Sequence, residues 1–124
     1  MKLKIKKGVV ANISVEFAVI LGAVKQMWES SGLGEFVVTS LKDGTHKKGS
    51  DHKQDEPDSL PGEAADIRTH AHFDKATGKH SNELLDFARR LQLRGLKVVV
   101  HPDQVKGVNH LHVARKVELF ERVG

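Results

Sequence analysis

The sequence predicts a single α+β domain spanning residues 1–124, in which a small, mostly antiparallel sheet carries two amphipathic helices. Three observations predict it. Two stretches place apolar residues at helical spacing, short runs rich in Val, Ile and Leu read as strands, and Gly or Pro punctuates the joins between them. At 124 residues the chain has room for one hydrophobic core and little beyond it. Aromatics are only 5% of the residues, so aliphatic side chains must build most of that core.

Taken in order, Lys2-Leu3-Lys4-Ile5-Lys6 alternates like an edge strand whose lysines guard the open side. Ser14 is a candidate N-cap, and after it Phe17, Ile20, Leu21, Val24, Met27 and Trp28 recur at helical spacing until Ser31-Gly32 stops the run. Met27 and Trp28 lie on the apolar stripe and are expected in the core. Residues 35–40 read as a buried strand. From Leu41 to Pro61 the composition turns to Lys, Asp, Gly, Ser and His, a long polar stretch of the kind that carries function or motion in a small domain. Ala64 to Arg68 reads as a short strand, followed by a polar loop through Gly78. Ser81 or Asn82 caps a second helix striped by Leu84, Phe87, Ala88 and Leu91 and stopped by Gly95. Leu96 to Val100 and Val108 to Val113 read as the last strands, with a short segment following through Phe120.

The chain has no Cys, which excludes disulfides, a thiolate nucleophile and any Cys-ligated zinc or iron–sulfur centre. The N-terminal lysines are followed by an apolar stretch broken by Asn12, Ser14 and Glu16, with no small-residue cleavage site. No run reaches the ~18–20 apolar residues of a membrane span. A soluble protein made in the cytoplasm is expected. The net charge of +4 is compatible with an anionic partner such as nucleic acid or a bacterial cell wall, but the basic residues are interleaved with acids. Neither a basic recognition helix nor aromatic residues for base stacking are evident, so nucleic acid is not an expected partner.

Eight His in so short a chain direct attention to metal chemistry. In Asn109-His110-Leu111-His112 the two imidazoles fall on one face of a strand. The same alternation puts Ala64, Asp66 and Arg68 on one face of theirs. An aspartate in such apolar company needs a partner, and a metal ion and Arg68 are both candidates. Two His and one Asp from separate segments would make a catalytic type of zinc site with an open fourth position. A second His-x-His, His70-Ala71-His72, falls in a predicted loop, and His80 is expected at the surface or in the cap region of the second helix.

Ser50-Asp51-His52, Gly62-Glu63-Ala64-Ala65-Asp66-Ile67-Arg68 and His110-Leu111-His112 together resemble the zinc D-alanyl-D-alanine carboxypeptidase and L-alanyl-D-glutamate endopeptidase family, its phage-type members above all. That family carries Ser-x-His-x-x-Gly-x-Ala-x-Asp followed later by His-x-His, and the resemblance spans residues 14–116. It implies a fold like that of the hedgehog signalling domains and these peptidases. It also implies that His52, Asp66 and His112 bind zinc, with His46 as the competitor for the first position. His110 would stand beside the metal as a catalytic residue stabilising the transition state. Ser50 would support the local loop and contact substrate, and Arg68 would serve either as a carboxylate's partner or in substrate binding. Gly62 and Ala64 would give the strand room. The implied activity is hydrolysis of an amide bond in peptidoglycan stem peptides by zinc-bound water, in a phage lysis or virion protein; a monomer is the default expectation.

Two departures stand out. Thirteen residues separate His52 from Asp66, where the family motif has six, so an inserted loop is expected at 53–60. The family also places a Glu a few residues before its last ligand, as the base that activates the metal-bound water. Residues 104–109 contain no carboxylate, which leaves His101, Asp103, Asp55 and Glu56 as candidate replacements that nothing in the sequence positions. The resemblance therefore supports a second reading, a catalytically weak or inactive zinc-stabilised binding or virion module of the same fold.

Overall fold

The computed structural model describes residues 3–8, 13–41, 59–101 and 109–116, with side chains described from Glu63 in the third stretch and up to Arg115 in the last. Ser50, His52, His46 and the expected insertion at 53–60 thus fall outside the described residues, apart from the strand backbone at 59–60.

Helix α1 spans Val15–Ser30. Its first turn is closed by Ser14, whose hydroxyl accepts the Phe17 N–H at 3.0 Å. Phe17, Leu21, Val24 and Trp28 line its buried face, while Ile20 and Met27 pack against the core from its margin. The helix ends where Gly32 takes a left-handed φ of 73°, a conformation that costs glycine little. Helix α2, Asn82–Leu93, is built the same way: Ser81 accepts the Leu84 N–H, and Leu84, Phe87, Ala88 and Leu91 are buried. Among the described residues no helix is long and apolar enough to cross a membrane.

Strands β1 (Lys4–Ile5), β2 (Val37–Leu41), β3 (Ser59–Arg68), β6 (Leu96–His101) and β7 (His110–Lys116) form one sheet in the order β1-β2-β3-β7-β6. Only β1 with β2 is parallel; the other three pairings are antiparallel. The lysine-flanked first strand does lie at an edge. The architecture is a small α+β fold of two helices on a mixed five-stranded sheet.

Between β3 and α2, the stretch expected as loop holds structure. A 3-10 turn at His70–His72 leads into a hairpin of β4 (Phe73–Asp74) and β5 (Lys79–His80). Gly78, with φ 68°, closes the turn. Strands of two residues show no alternation, so nothing in the sequence marks them. Strand β3 also begins earlier than expected, at Ser59, and keeps Pro61 and Gly62 within it across a register shift. The last strand is displaced toward the C-terminus, from the expected 108–113 to His110–Lys116.

Alternation along the central strands divides their side chains. Ala65 and Ile67 of β3 and Leu111 and Val113 of β7 join Phe17, Leu21, Leu84 and Phe87 in the core. Asp66, Arg68, His110 and His112 therefore project from the opposite face. At one end of the core Trp28, only 1% exposed, meets the rings of Phe36, Phe87 and His72 edge to face at 5.4–5.6 Å. On the helix side, buried Glu63 of β3 accepts both the Ser14 hydroxyl at 2.8 Å and an Arg115 N–H at 2.9 Å. One carboxylate thus joins the start of α1 to two central strands.

Core packing makes a direct prediction. Phe87→Ala is expected to destabilise the fold by about 3–5 kcal/mol. Val19→Ala, on the exposed side of α1, should stay within about 0.5 kcal/mol of the parent. The midpoints of urea unfolding followed by circular dichroism check both.

Candidate metal centre

Antiparallel pairing of β3 with β7 sets Asp66 opposite His112 and Arg68 opposite His110. Pairing of β7 with β6 sets His101 opposite His110. These registers, fixed by the apolar residues on the other face, bring four of the groups into one cluster. Asp66 Oδ1 lies 2.9 Å from His112 Nδ1, and Asp66 Oδ2 lies 3.7 Å from His110 Nε2. The His101 ring stacks on that of His110 with centroids 4.6 Å apart, and it meets His112 edge-on at 6.4 Å. His112 is nearly sealed at 5% exposure, whereas the His110 side chain is 21% exposed and the Asp66 side chain 16%.

The expected partnership of Asp66 resolves toward histidine. Its carboxylate meets His112 and His110, and Arg68 has no ion pair with it. Among the described residues no set of three His, Asp or Glu side chains is arranged to hold a metal ion. Asp66 and His112 nonetheless present a suitable pair of donors. Zinc bonds of ~2.0–2.1 Å in a tetrahedron put neighbouring ligand atoms about 3.3 Å apart. The observed 2.9 Å between Oδ1 and Nδ1 is within a few tenths of that edge. A carboxylate oxygen and an imidazole nitrogen match zinc's usual donors, and the third expected donor, His52, lies outside the described residues.

Beside this cluster runs a buried polar chain that the sequence did not reveal. The Thr69 hydroxyl donates to Asn109 Oδ1 at 3.1 Å and lies 2.7 Å from His80 Nε2. Since its one proton goes to Asn109, the hydroxyl accepts from His80, which is thereby fixed as the Nε2–H tautomer. His70 Nδ1–H donates to the same Asn109 oxygen at 3.0 Å. His72 Nε2–H donates to the Leu33 carbonyl at 2.6 Å. His80, expected at the surface or in the cap region of α2, directly precedes the Ser81 cap and is 7% exposed, its ring edge-on to Phe73 at 4.9 Å. The hydrogen-bond partners that make this burial tolerable come from Thr69 and Asn109, remote in sequence and carrying no local signal.

Comparison of the chain with protein-family models, with curated proteins and with solved structures finds no match. The site therefore has to be read from its own chemistry. Of the sequence-derived candidates, Asp66, His110 and His112 come together. Arg68 lies next to them in the sheet without joining them, and Ser50 and His52 fall outside the described residues. His101 is the member that the sequence left unplaced. Extension of β6 by one residue beyond Val100 brings it in, and its register opposite His110 follows from that.

Burial, with the neighbouring charges of His72 and His110 behind it, pushes the His80 pKa below the ordinary 6.5. The unfolded chain then takes up this proton first as pH falls. Stability is full above about pH 6.5 and declines below it until the folded-state pKa is passed. His80 resonances in an NMR titration should move at a lower pH than a model imidazole, and His80→Gln should reduce the loss of urea stability between pH 7 and 5.

Proposed function

We propose that the chain is a zinc metallopeptidase that hydrolyses an amide bond in peptidoglycan stem peptides, of the D-Ala-D-Ala carboxypeptidase or L-Ala-D-Glu endopeptidase type. The observation that carries this reading is the contact of Asp66 with His112 across the central strands, at 2.9 Å and with His110 alongside. The spacing of Ser50, His52, Gly62, Ala64 and Asp66 ahead of His110-Leu111-His112 supports it. The finer fold assignment, to the hedgehog-like architecture of the D-Ala-D-Ala peptidases, belongs to the same reading.

His52, Asp66 and His112 would hold the zinc, which when bound supplies a Lewis acid and a water acidified to a pKa of ~7. The chain's own residues do the remainder. The buried His112 ring keeps its donor nitrogen directed at Asp66. His110, partly exposed, offers an imidazole N–H to the oxyanion that develops on the scissile carbonyl. Residues 104–109 hold no carboxylate, and we assign proton transfer to His101, whose ring stacks on that of His110. Ser50 and Arg68 are assigned to substrate contact. A monomer that reaches the cell wall as a phage lysis or virion protein completes the reading.

The absent carboxylate favours one alternative, a zinc-stabilised binding or virion module with the same ligands and little or no hydrolysis. Digestion of purified peptidoglycan by zinc-loaded protein, with mass spectrometry of the fragments, separates the two. The peptidase reading expects new peptide ends, abolished together with stoichiometric zinc in His112→Ala. His110→Ala should keep its zinc and lose about 10²–10³-fold in rate. Stoichiometric zinc without cleavage of several wall chemotypes selects the binding module, and failure to bind zinc overturns both.

A further inference from the structure

At the end of the sheet where β2 begins and β3 stops, a cavity of about 220 Å³ is lined by Trp28, Leu33, Glu35, Val37, Arg68 and the two histidines of the 3-10 turn, His70 and His72. That volume equals about seven waters at ~30 Å³ each. Two of the residues that line it carry donors without a partner. The Arg68 guanidinium makes no hydrogen bond or ion pair with any described residue, and its Nε is buried without a partner. The Trp28 indole N–H is likewise buried without a partner, in a side chain that is almost wholly enclosed. An orphaned buried donor costs on the order of 1–3 kcal/mol, so two on one cavity wall are unusual in a small fold.

The candidate counter-ion within the wall is already engaged. Glu35 accepts from Lys4 Nζ at 2.6 Å, and this contact is the main reason its carboxyl pKa is lowered, with the charge of Arg68 a minor contributor. His72 and His70 have committed Nε2 and Nδ1 to Leu33 and Asn109. What remains is a planar cationic fork that matches a carboxylate in two parallel hydrogen bonds. Around it stand Leu33, Val37, Ala71 and the Trp28 ring. Such walls suit a short apolar tail.

We propose that this cavity is a binding site for a small carboxylate with a short apolar tail, anchored by Arg68 with the Trp28 side chain in its wall. It shares Arg68 with the substrate contact assigned in the metal reading, but neither zinc nor hydrolysis is needed to fill it, so butyrate binding by metal-free protein is tested apart from that reading. The chain provides its own reporter, since Trp28 is the single Trp and there is no Tyr.

The test titrates metal-free protein with sodium butyrate at constant ionic strength, following Trp28 fluorescence and the single indole N–H resonance by NMR. A saturable change in both is expected, weakened about tenfold or more in Arg68→Gln. The exposed control Arg89→Gln should bind like the parent. Arg68→Lys retains the charge and loses the fork, so it should also bind more weakly, and it serves if Arg68→Gln fails to fold. Sodium phosphate and butylamine should leave the signals unchanged. No saturable response to butyrate, an equal response to phosphate, or binding indifferent to both Arg68 variants overturns the proposal.

Discussion

The antiparallel register between β3 and β7 is the constraint on which the rest of the molecule depends. It is set by Ala65, Ile67, Leu111 and Val113, all of which are buried beneath the two helices. A slip of one residue would turn those four side chains outward and bring Asp66, Arg68, His110 and His112 into the apolar layer. Burying a carboxylate and a guanidinium there, separated from each other, would cost far more than a small domain has in hand. The hydrophobic face therefore fixes the polar one. The 2.9 Å contact of Asp66 with His112 follows from how Ile67 and Leu111 pack.

Two kinds of polar order flank that register. Close to the helices, Ser14 and Arg115 both donate to Glu63 Oε1, a structural bridge between the start of α1 and the two central strands. Around the turn after β3, Thr69, His80, Asn109 and His70 form a directed chain in which each proton has one destination. Asn109 immediately precedes His110, so that chain holds the entry into β7 at the point where the candidate centre begins. The histidines of this protein are thus divided. His70, His72 and His80 each have a ring nitrogen committed to the fold, whereas His101 and His110 stack on each other beside Asp66.

Much of this was legible in the sequence. Ser14 and Ser81 cap the helices as their spacing to the apolar stripes required, and Asp66 and His112 met because alternation on two strands left them no other face. The parts that were not legible share a cause. The hairpin at Phe73–His80 has strands too short to show a period. Strand β3 runs through Pro61 and Gly62, which locally argue against a strand and are outweighed by pairing with β7. The burial of His80 depends on hydrogen-bond partners 11 residues away and further. The open guanidinium of Arg68 is a matter of what fails to reach it. Each is decided by neighbours in space that single-chain patterning does not encode.

The bridge through Glu63 bears on how the molecule opens. The hydroxyl that closes the first turn of α1 also donates to a carboxylate rooted in β3, and that carboxylate accepts from an arginine rooted in β7. Helix termini ordinarily fray on their own, at almost no cost and without disturbing the sheet. Here, unwinding the start of α1 takes a hydrogen bond from a buried carboxylate held between the two strands that carry Asp66 and His112. The helix start and the central strands accordingly form one cooperative unit, and thermal breathing that reaches one reaches the other.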